Sequence, residues 1–426
     1  MNIKIENIDA LLMEEGKFRI KRCDIYIKDG KIISTGIKPQ NFVAERTIDG
    51  KSRLAIPGLI NTHTHSYMSV FRNVADDLDF SDWLFKRIMP MEDKLTEEDM
   101  YWGAMLGCIE MIRTGTTCFV DMNININAVV RAVTETGMRA VLSRGLVGEG
   151  NNDGGQQRLF ENLDAFKNCK NDRITFLLGP HAPYTCDCDY LKIVVEEAKK
   201  NNLGLTIHLS ESLDEIEGIR QKHNMTPIEL MEKCGVFDVP VIAAHCVQLC
   251  DNDIEILARN NVSVATNPKS NLKLANGIAP LVKMHKGGVN VTIGTDSAAS
   301  NNTLNMFSEM NYAALLHKGK NHSSTVMSAE EILTFATKNA QKAVNNPYIG
   351  EIKEGMSADI TILDIDTPQF YPRNNLIAAL VYSANGYETD TVIIDGQIVM
   401  ENKEIKTVDV KKVYEQCEKI IKRIDG

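Results

Sequence analysis

The sequence lacks the long apolar runs that membrane-spanning proteins need. No window of its 426 residues reaches the roughly 18 uninterrupted apolar residues of a transmembrane helix. The first residues, MNIKIE, carry charge and lack the apolar core of a secretory signal. We therefore expect a cytoplasmic protein, and hydrophobic and charged fractions of 43% and 24% are typical of a soluble globular chain.

The chain also lacks an excess of positive charge. Lys and Arg total 47 and Asp and Glu total 57, which gives a formal net charge of −10. Proteins that coat nucleic acids or bind anionic membrane surfaces carry the opposite balance, so we expect neither nucleic acid nor membrane as a partner. A few local arginines can still bind a small anionic or zwitterionic ligand.

Ten cysteines are present, but they lack the paired spacing of a zinc ribbon. One residue separates Cys186 from Cys188, three separate Cys246 from Cys250, and neither pair has a second pair at zinc-ribbon spacing. Scattered cysteines in a large chain without a secretory signal favour reduced thiols, which behave as small hydrophobic residues.

A Gly-x-Gly-x-x-Gly motif is also absent, which disfavours a Rossmann-type open sheet as the alternative α/β fold. Instead, eight apolar runs of strand length recur, with helix-like stretches such as 97–113 and 190–201 between several of them. The runs are residues 54–62, 116–122, 139–147, 174–181, 205–210, 239–245, 262–267 and 289–296. Nearly continuous apolar strands that alternate with helices predict a (β/α)8 barrel of the TIM type.

Short β-like segments lie at both ends of the chain. Alternating residues near the start flank an Asp29-Gly30 turn, and residues 391–399 contain a second turn at Asp395-Gly396. Neither end can bury a core alone, so we predict that residues 1–56 and 350–407 form one small β-sandwich domain. The barrel then takes residues 57–349, and the helical spacing of residues 408–426 predicts a C-terminal helix packed on the body.

Histidines and one aspartate end several of the predicted barrel strands. His63 and His65 alternate at the end of the first strand, so both can face one ion. The other strand ends carry His181, His208, His245 and Asp296. Because strand ends converge on one face of a barrel, we expect a metal site there. Histidine nitrogens with one carboxylate suit Zn²⁺ or Fe²⁺.

The run PGLINTHTH, residues 57–65, resembles the opening motif of the amidohydrolase superfamily, and the later His and Asp positions fall in that superfamily's order. Longer strings are similar to the 5-methylthioadenosine/S-adenosylhomocysteine deaminases. They are FRNVADD (71–77), WL (83–84), MPME (89–92), GPHAPY (179–184), SNLKLA (270–275) and GTDSAASNN (294–302). This resemblance spans essentially the whole chain and implies metal-dependent deamination of adenosine derivatives. The reactions are 5′-methylthioadenosine to 5′-methylthioinosine and S-adenosylhomocysteine to S-inosylhomocysteine, with release of ammonia.

The resemblance implies one divalent metal per subunit, with Zn²⁺ as the default for hydrolysis and Fe²⁺ or Mn²⁺ compatible with the same donors. The implied ligands are His63, His65, His208 and Asp296. Two-metal members of the superfamily place a carboxylated lysine at the end of strand 4, where this chain has none. One departure is Thr266-Asn267-Pro268, where the family commonly has His-Asn-Pro; it leaves the ligand set intact and can alter nearby hydrogen bonds.

The resemblance also implies catalytic roles at the barrel mouth. Glu211 shuttles protons to the purine ring nitrogen and the leaving amine, and Asp296 acts as a base while it binds the metal. His245 polarises or orients the attacking water. Glu211 and Asp296 therefore also contact the substrate.

On the substrate side, the resemblance implies that Glu92 accepts hydrogen bonds from the ribose hydroxyls and that His181 hydrogen-bonds the purine. Trp83 forms an apolar wall beside the thioether. Arg144, just after the third strand, and Arg158, in a region rich in Gly and Asn, bind the homocysteine carboxylate.

Two other functions compete with this interpretation. One is a deaminase of guanine, of another adenosine or of 5′-deoxyadenosine, or an aminohydrolase or chlorohydrolase of the triazine type. The other is a non-enzymatic barrel that binds nucleosides. Glu92 and the arginines favour a ribosyl substrate, and Glu211 with His245 argues against a silent barrel. The resemblance further implies a small nucleoside substrate and a homo-oligomer.

Overall fold

The computed structural model describes residues 1–425, in which strands and helices alternate along the middle of the chain. The strands are β1 Ile3–Glu14, β2 Lys17–Lys28, β3 Lys31–Thr35, β4 Arg46–Asp49, β5 Arg53–Pro57, β6 Leu59–Thr64, β7 Thr116–Asn123, β8 Arg139–Leu146, β9 Ile174–Phe176, β10 Gly179–Pro180, β11 Leu205–Leu209, β12 Val241–His245, β13 Ser263–Thr266, β14 Asn290–Ile293, β15 Ile360–Asp364, β16 Thr389–Ile394, β17 Gln397–Glu401 and β18 Glu404–Ile405.

The α-helices are α1 Met89–Glu92, α2 Glu97–Arg113, α3 Ile126–Thr136, α4 Asp153–Asn168, α5 Cys188–Asn201, α6 Leu213–His223, α7 Pro227–Lys233, α8 Asp251–Arg259, α9 Pro268–Lys273, α10 Leu281–Lys286, α11 Met306–Lys320, α12 Ala329–Ala336, α13 Lys338–Ala343, α14 Leu376–Tyr382 and α15 Val410–Ile424. Short 3₁₀ helices cover Ser66–Phe71, Val236–Asp238 and Pro368–Phe370, and a π-helical segment covers Asp82–Ile88. Within residues 1–425, none of these helices combines the length and apolar character that crossing a bilayer requires.

Strands β6 to β14 form the predicted barrel from two parallel arcs. In the first arc β6, β7 and β8 pair in order, and β9 and β10 together supply the fourth strand beside β8. The second arc runs from β11 to β14. Parallel bridges between Leu178 and Leu205 and between Thr64 and Asp296 join the arcs at both seams. The (β/α)8 prediction is therefore confirmed.

The first predicted barrel strand, residues 54–62, is in fact two strands of different sheets. β5 pairs with β1 and β15 near the chain ends, whereas β6 begins the barrel. The break falls at Gly58, where an added Cβ atom would lie 2.1 Å from Thr117 Oγ1 and 2.2 Å from its Cγ2. An apolar run predicts that a segment is buried, but it does not show to which sheet the segment belongs. The sequence pattern therefore merged β5 and β6 into one predicted strand.

Both chain ends contribute to one β-rich domain, as predicted. Nine strands are hydrogen-bonded along the path β18-β17-β16-β15-β5-β1-β2-β3, with β4 beside β1. Apolar side chains from both ends share its core, among them Ile5, Ile27 and Ile360. The predicted β segment 350–407 also contains a helix, because α14 leaves the sheet and packs against the barrel helices α11 and α12.

A buried ion pair fastens this terminal domain to the barrel. Arg139, the first residue of β8, donates from Nε and Nη2 to the two carboxylate oxygens of Asp359 at 2.9 and 3.1 Å. Asp359 Oδ1 also accepts the backbone N–H of Asp395 at 2.9 Å. Both charged side chains are buried, so removing either partner would leave an uncompensated charge. The terminal domain thus covers the amino end of the barrel, away from the histidines.

The predicted C-terminal helix, residues 408–426, corresponds to α15, and Gly426 lies outside the described residues. Asp409 caps the helix by accepting the N–H of Lys412 at 3.1 Å. Its buried side chains are Val413, Cys417, Ile420 and Ile424. They pack against α2. Arg423 of α15 also forms an ion pair with Asp99 of α2.

The expectation that all ten cysteines are reduced thiols is wrong for one pair. Cys188 and Cys234 form a disulfide with Cα atoms 5.3 Å apart. They lie 46 residues apart in the sequence, at the start of α5 and just after α7, so their spacing gave no sign of pairing. The other cysteines are free, and none joins a metal-type cluster in the part of the chain that is described.

The close packing at Gly58 generates a stability prediction. We expect Gly58→Ala to destabilise the fold by about 1–3 kcal/mol, because the new methyl group overlaps the buried Thr117 side chain. Thermal unfolding monitored by circular dichroism measures this as a lower Tm. Gly218→Ala in α6 is the matched control, since its Cβ would meet no atom within 4 Å and alanine favours a helix. Equal Tm values for the two variants would contradict the packing argument.

Candidate active site

Five ionisable side chains meet at the carboxyl ends of the barrel strands, the face where barrel enzymes carry their chemistry. β6 supplies His63, and His65 directly follows that strand. β11 supplies His208, β12 ends in His245, and Asp296 follows β14. Candidate ligand atoms of His63, His65 and His208 lie within 4.8 Å of one another, as do those of His63, His245 and Asp296. The sequence-predicted metal ligands are therefore brought together.

The histidine rings are oriented by backbone carbonyl groups. His65 Nδ1 lies 2.8 Å from the carbonyl oxygen of Met122, and His208 Nδ1 lies 2.8 Å from that of His181. Because a carbonyl can only accept, each Nδ1 carries the proton and each Nε2 presents a lone pair. These two Nε2 atoms are 3.1 Å apart, a distance at which two lone pairs repel unless a cation lies between them.

His63 completes a donor set that fits a metal ion. Its Nε2 is buried without a hydrogen-bond partner among the described residues, and it lies 3.5 Å from Asp296 Oδ1. Burial lowers the pKa of His63 to about 4, so the ring is neutral at neutral pH. His65 Nε2 is 3.4 Å from the same Asp296 oxygen. Three imidazole nitrogens and one carboxylate oxygen are a ligand set for a divalent ion such as Zn²⁺.

Asp296 divides its two oxygens between different partners. Oδ2 accepts hydrogen bonds from Ser270 Oγ at 2.6 Å and Ser300 Oγ at 2.7 Å, which leaves Oδ1 toward the histidines. Burial opposes ionisation, but the neighbouring His63 and His245 rings outweigh it and hold the pKa of Asp296 well below its usual range. Asp296 therefore presents an ionised oxygen to the site.

Glu211 and His245 adjoin this cluster. Glu211 Oε1 lies 3.7 Å from His245 Nδ1 and accepts a hydrogen bond from Asn276 Nδ2 at 2.9 Å. Burial raises the pKa of Glu211, so its carboxyl group keeps its proton to a higher pH than an exposed glutamate does. Burial opposes protonation of His245, but the Glu211 and Asp296 carboxylates outweigh it and raise its pKa. His245 Nδ1 bonds Asn271 Oδ1 at 2.8 Å, so Nε2 is the ring atom left for the site.

Local sequence explains why Glu211 sits at this point. Ser212 caps α6 by accepting the N–H of Glu215 at 3.2 Å, which places Glu215 in the first helical turn. The Glu215 carboxylate then accepts the N–H groups of Ser210 and Glu211 at 2.9 and 2.8 Å. This contact holds the turn that follows β11 and its His208.

His181 lies beside the cluster without joining it. Its ring centroid is 4.9 Å from that of His208, and its Nδ1 lies 3.1 Å from Thr185 Oγ1. Burial lowers the pKa of His181 to about 4, so the neutral ring can donate from one nitrogen and accept at the other.

Glu92 is held by a residue that sequence reasoning missed. The hydroxyl of Tyr67, two residues after His65, donates to Glu92 Oε1 at 2.5 Å. Burial raises the pKa of Glu92, and the hydrogen bond from Tyr67 is the largest cause that opposes that rise. Glu92 is thus anchored to the 3₁₀ helix that follows His65.

The remaining predicted substrate residues, Trp83, Arg144 and Arg158, have partners outside the His and Asp cluster. Trp83, in the π-helical segment, is 7% exposed and donates from Nε1 to the carbonyl of Ala299 at 3.3 Å. Arg144 Nε pairs with Glu161 at 3.0 Å, and Arg158 Nη1 donates to the carbonyl of Val147 at 3.1 Å.

Arg158 is the most loosely connected member of the predicted set. Both arginines lie close enough to Tyr190 to oppose the rise in its pKa that burial causes. Within residues 1–425, however, no hydrogen bond links Arg158 to another predicted site residue. Both guanidinium groups thus lie near Tyr190, and Arg144 also has Glu161 as a charged partner.

Sequence reasoning also missed the residues that hydrogen-bond the predicted site side chains. They are Tyr67, Ser270, Asn271, Asn276 and Ser300. Ser270, Asn271 and Ser300 lie inside the strings SNLKLA and GTDSAASNN. Those strings supported the family resemblance, but they did not indicate what these three residues contact. Asn276 lies just beyond the first string and gave none.

Known proteins of similar sequence include two deaminases. The chain is 47% identical to the 5-methylthioadenosine/S-adenosylhomocysteine deaminase of Thermoanaerobacter pseudethanolicus, over 100% of this chain and 99% of that protein. It is 49% identical to the 5′-deoxyadenosine deaminase of Methanocaldococcus jannaschii, over 94% of this chain and 96% of that protein. Among solved structures, a zinc-bound adenosine deaminase from Xanthomonas campestris has a TM-score of 0.94 at 27% identity and covers 99% of this chain and 98% of its own.

A family comparison gives the same result. The model described as "Amidohydrolase family" matches residues 54–399, which run from β5 to β17 and contain every member of the His and Asp cluster. From this match and the full-length relatives, we conclude that the chain belongs to the amidohydrolase family.

Proposed function

We propose that this protein is a metal-dependent deaminase of 5′-substituted adenosines. It would convert 5′-methylthioadenosine to 5′-methylthioinosine and S-adenosylhomocysteine to S-inosylhomocysteine, with release of ammonia. The observation that carries the proposal is the position of Glu211 and His245 beside the His and Asp cluster, because binding alone needs no proton-transfer groups there. The names of the two full-length relatives support the same reaction class.

The metal in this proposal is a single Zn²⁺ held by His63, His65, His208 and Asp296. The buried, unpartnered Nε2 of His63 and the facing Nε2 atoms of His65 and His208 support a cation at this point. The Xanthomonas relative carries zinc. When bound, such an ion is a Lewis acid that brings the pKa of water toward neutrality.

Three side chains handle the protons of the proposed reaction. Asp296 Oδ1 takes the proton that water loses as the new C–O bond forms, and His245 Nε2 orients that water. Glu211 gives its proton to the ring nitrogen, then takes the hydroxyl proton of the adduct and passes it to the departing amine. The proton held by Asp296 finally returns to Glu211, so both carboxyl groups regain their starting states. The C–N bond breaks, and the products are ammonia and the 6-oxopurine nucleoside.

The ribose pocket in this proposal is built around Glu92. Tyr67 occupies Oε1, and in residues 1–425 no protein group donates to Oε2, which is the oxygen we assign to the ribose hydroxyls. His181 hydrogen-bonds the purine through the nitrogen that Thr185 leaves free. Recognition of a ribose diol favours a nucleoside over a bare heterocycle such as guanine.

The 5′ substituent would lie between Trp83 and the arginines. The buried Trp83 ring supplies an apolar wall, and Arg144 with Arg158 supplies guanidinium groups for a carboxylate. A second candidate substrate is 5′-deoxyadenosine, because the Methanocaldococcus relative named for it is 49% identical. That substrate needs the apolar wall and makes no use of the arginines.

Metal removal and a substrate panel test the reaction class. We expect chelation to abolish ammonia release from 5′-methylthioadenosine and one equivalent of Zn²⁺ per chain to restore it, because the clustered imidazoles hold one ion. The reconstituted enzyme should release ammonia from the 5′-substituted adenosines and far less from adenine or guanine. Release that survives verified metal removal would contradict metal dependence, and equal release from free bases would contradict the ribose assignment.

Replacing the proposed proton donor tests the mechanism. We expect Glu211→Gln to lower kcat by about 10²–10⁴-fold, the usual contribution of general acid–base catalysis, with metal content unchanged. Glu217→Gln, an exposed residue of α6, is the control and should behave as wild type. Near-wild-type turnover of metal-loaded Glu211→Gln would remove Glu211 from this role.

The proposed contacts of Arg144 and Arg158 with the substrate carboxylate generate a specificity prediction. We expect Arg144→Gln and Arg158→Gln to raise KM for S-adenosylhomocysteine about tenfold or more, since a charge-assisted hydrogen bond is worth about 1.5–3 kcal/mol. KM for 5′-methylthioadenosine, which lacks the carboxylate, should change much less. Arg259→Gln, whose guanidinium pairs with Glu232 on the surface, is the matched control. Equal increases of KM for both substrates would contradict the assignment of Arg144 and Arg158 to the homocysteine carboxylate.

A further inference from the structure

The side chain of Glu211 belongs to a closed ring of hydrogen bonds that the proposed reaction does not use. Glu215 accepts the N–H groups of Ser210 and Glu211 at 2.9 and 2.8 Å. The carbonyl oxygen of Ser210 accepts the N–H of Gln248 at 2.9 Å, and Gln248 Nε2 donates to the carbonyl of Asn276 at 2.6 Å. Asn276 Nδ2 then donates to Glu211 Oε1 at 2.9 Å and closes the ring.

Four of the five residues in the ring are buried, all except Gln248, and the backbone is strained at two positions. Asn276 is 6% exposed and Glu211 is 8% exposed. Ser210 has φ 52°, and Ala275, just before Asn276, has φ 57°. Residues other than glycine hold such left-handed conformations only where surrounding contacts compensate the cost, and these conformations concentrate at functional sites. One strained residue therefore directly precedes Glu211, and the other directly precedes Asn276, which hydrogen-bonds the Glu211 carboxylate.

One short segment, α9 with the turn after it, reaches both proton-handling side chains. Asn271 of α9 binds His245 Nδ1 at 2.8 Å, and Asn276 binds Glu211. The N–H groups of Asn276 and Gly277 both donate to the carbonyl of Asn271, at 2.9 and 3.3 Å. These backbone bonds fix the spacing between the two amide side chains, so His245 and Glu211 are oriented from a common support.

We infer that Asn276 is a positioning residue for proton transfer by Glu211, and that Gln248 supports it by binding its carbonyl. Asn276 occupies Oε1, and among residues 1–425 no protein group donates to Oε2. Oε2 is then the oxygen that exchanges the proton with the purine ring nitrogen and the leaving amine. This inference rests on the proposed function, because Asn276 acts on the reaction only through Glu211.

A double-mutant cycle separates this role from a general contribution to folding. If Asn276 acts through Glu211, its replacement has nothing left to remove once Glu211 has become Gln. If Asn276 merely stabilises the turn, the two losses multiply. The cycle uses the metal-loaded full-length enzyme, with kcat and KM for 5′-methylthioadenosine as readouts.

We expect Asn276→Leu to lower kcat by about 10- to 100-fold, since small misplacements of catalytic groups cost this much, while KM changes by less than about threefold. In the Glu211→Gln background the same change should alter kcat by less than about twofold. Asn276→Asp keeps the side-chain shape but cannot donate when ionised, so it should lose kcat as well. Gln248→Leu should give a smaller loss with the same non-additivity.

Asn290→Leu is the matched control for the cycle. Asn290 Nδ2 donates to Ser263 Oγ at 2.9 Å and to the carbonyl of Asn339 at 3.1 Å, at the amino end of β14. Whatever its effect on kcat, that effect should be the same in both backgrounds. Tm and metal content are measured for every variant, and if Asn276→Leu does not fold, Asn276→Asp and Gln248→Leu decide by the same criteria.

Two results would overturn the inference alone. One is an unchanged kcat for folded Asn276→Leu, and the other is a full multiplicative loss in the Glu211→Gln background. A different result, wild-type turnover of Glu211→Gln itself, would remove the role of Glu211 in the proposed function and the inference with it. The two failures are therefore distinguishable.

Discussion

The structure of the barrel mouth depends on one electrostatic constraint, which is that imidazole lone pairs are directed at one another. The Nδ1 atoms of His65 and His208 are committed to backbone carbonyls, so their Nε2 atoms meet at 3.1 Å with no proton to share between them. A cation resolves this arrangement and water does not, since water could donate to only some of the converging acceptors. The orientation of the rings, the ionised Asp296 oxygen and the burial of His63 all serve that single requirement.

The surrounding structure holds the cluster through a polar network on the Asp296 side. Lys273, at the end of α9, contacts Asp76 and Asn302, and Arg72 contacts Glu110 and the Asn302 carbonyl. Residues 72–92, which carry Trp83 and Glu92, are thereby fastened to the loop that follows Asp296. The stretch of chain that hydrogen-bonds His245 and Glu211 thus also anchors the segment that carries Trp83 and Glu92. In the proposed reaction, substrate binding and proton transfer therefore share one support.

Much of the site was predictable because its residues mark the ends of strands. His63, His65, His208, His245 and Asp296 each terminate or follow an apolar run, and barrel topology brings such positions together whatever the sequence distance. The (β/α)8 fold followed from the same runs. The assignment of roles needed a resemblance, since strand ends alone do not distinguish a ligand from a proton donor.

What the sequence did not show depends on contacts between distant segments. The run 54–62 gave no sign that Gly58 divides it between two sheets, because burial looks the same in either. The Cys188–Cys234 disulfide and the Tyr67–Glu92 bond join residues whose spacing has no pattern. The contact of Asn276 with Glu211 could not be predicted for a further reason. Asparagine next to glycine is common in turns, so its presence there indicates a turn and not a contact with the site.

The pairing of β5 with β15 has a consequence for the order of synthesis. β5 ends at Pro57, and its antiparallel partner begins at Ile360, about 300 residues later on the ribosome. At roughly 5–20 residues per second, that edge of β5 waits on the order of 15–60 s for its partner. During this interval an apolar strand with unpaired backbone groups is a template for contact with other chains. The nascent chain is therefore open to aggregation at this edge until the segment that completes the sheet has been made.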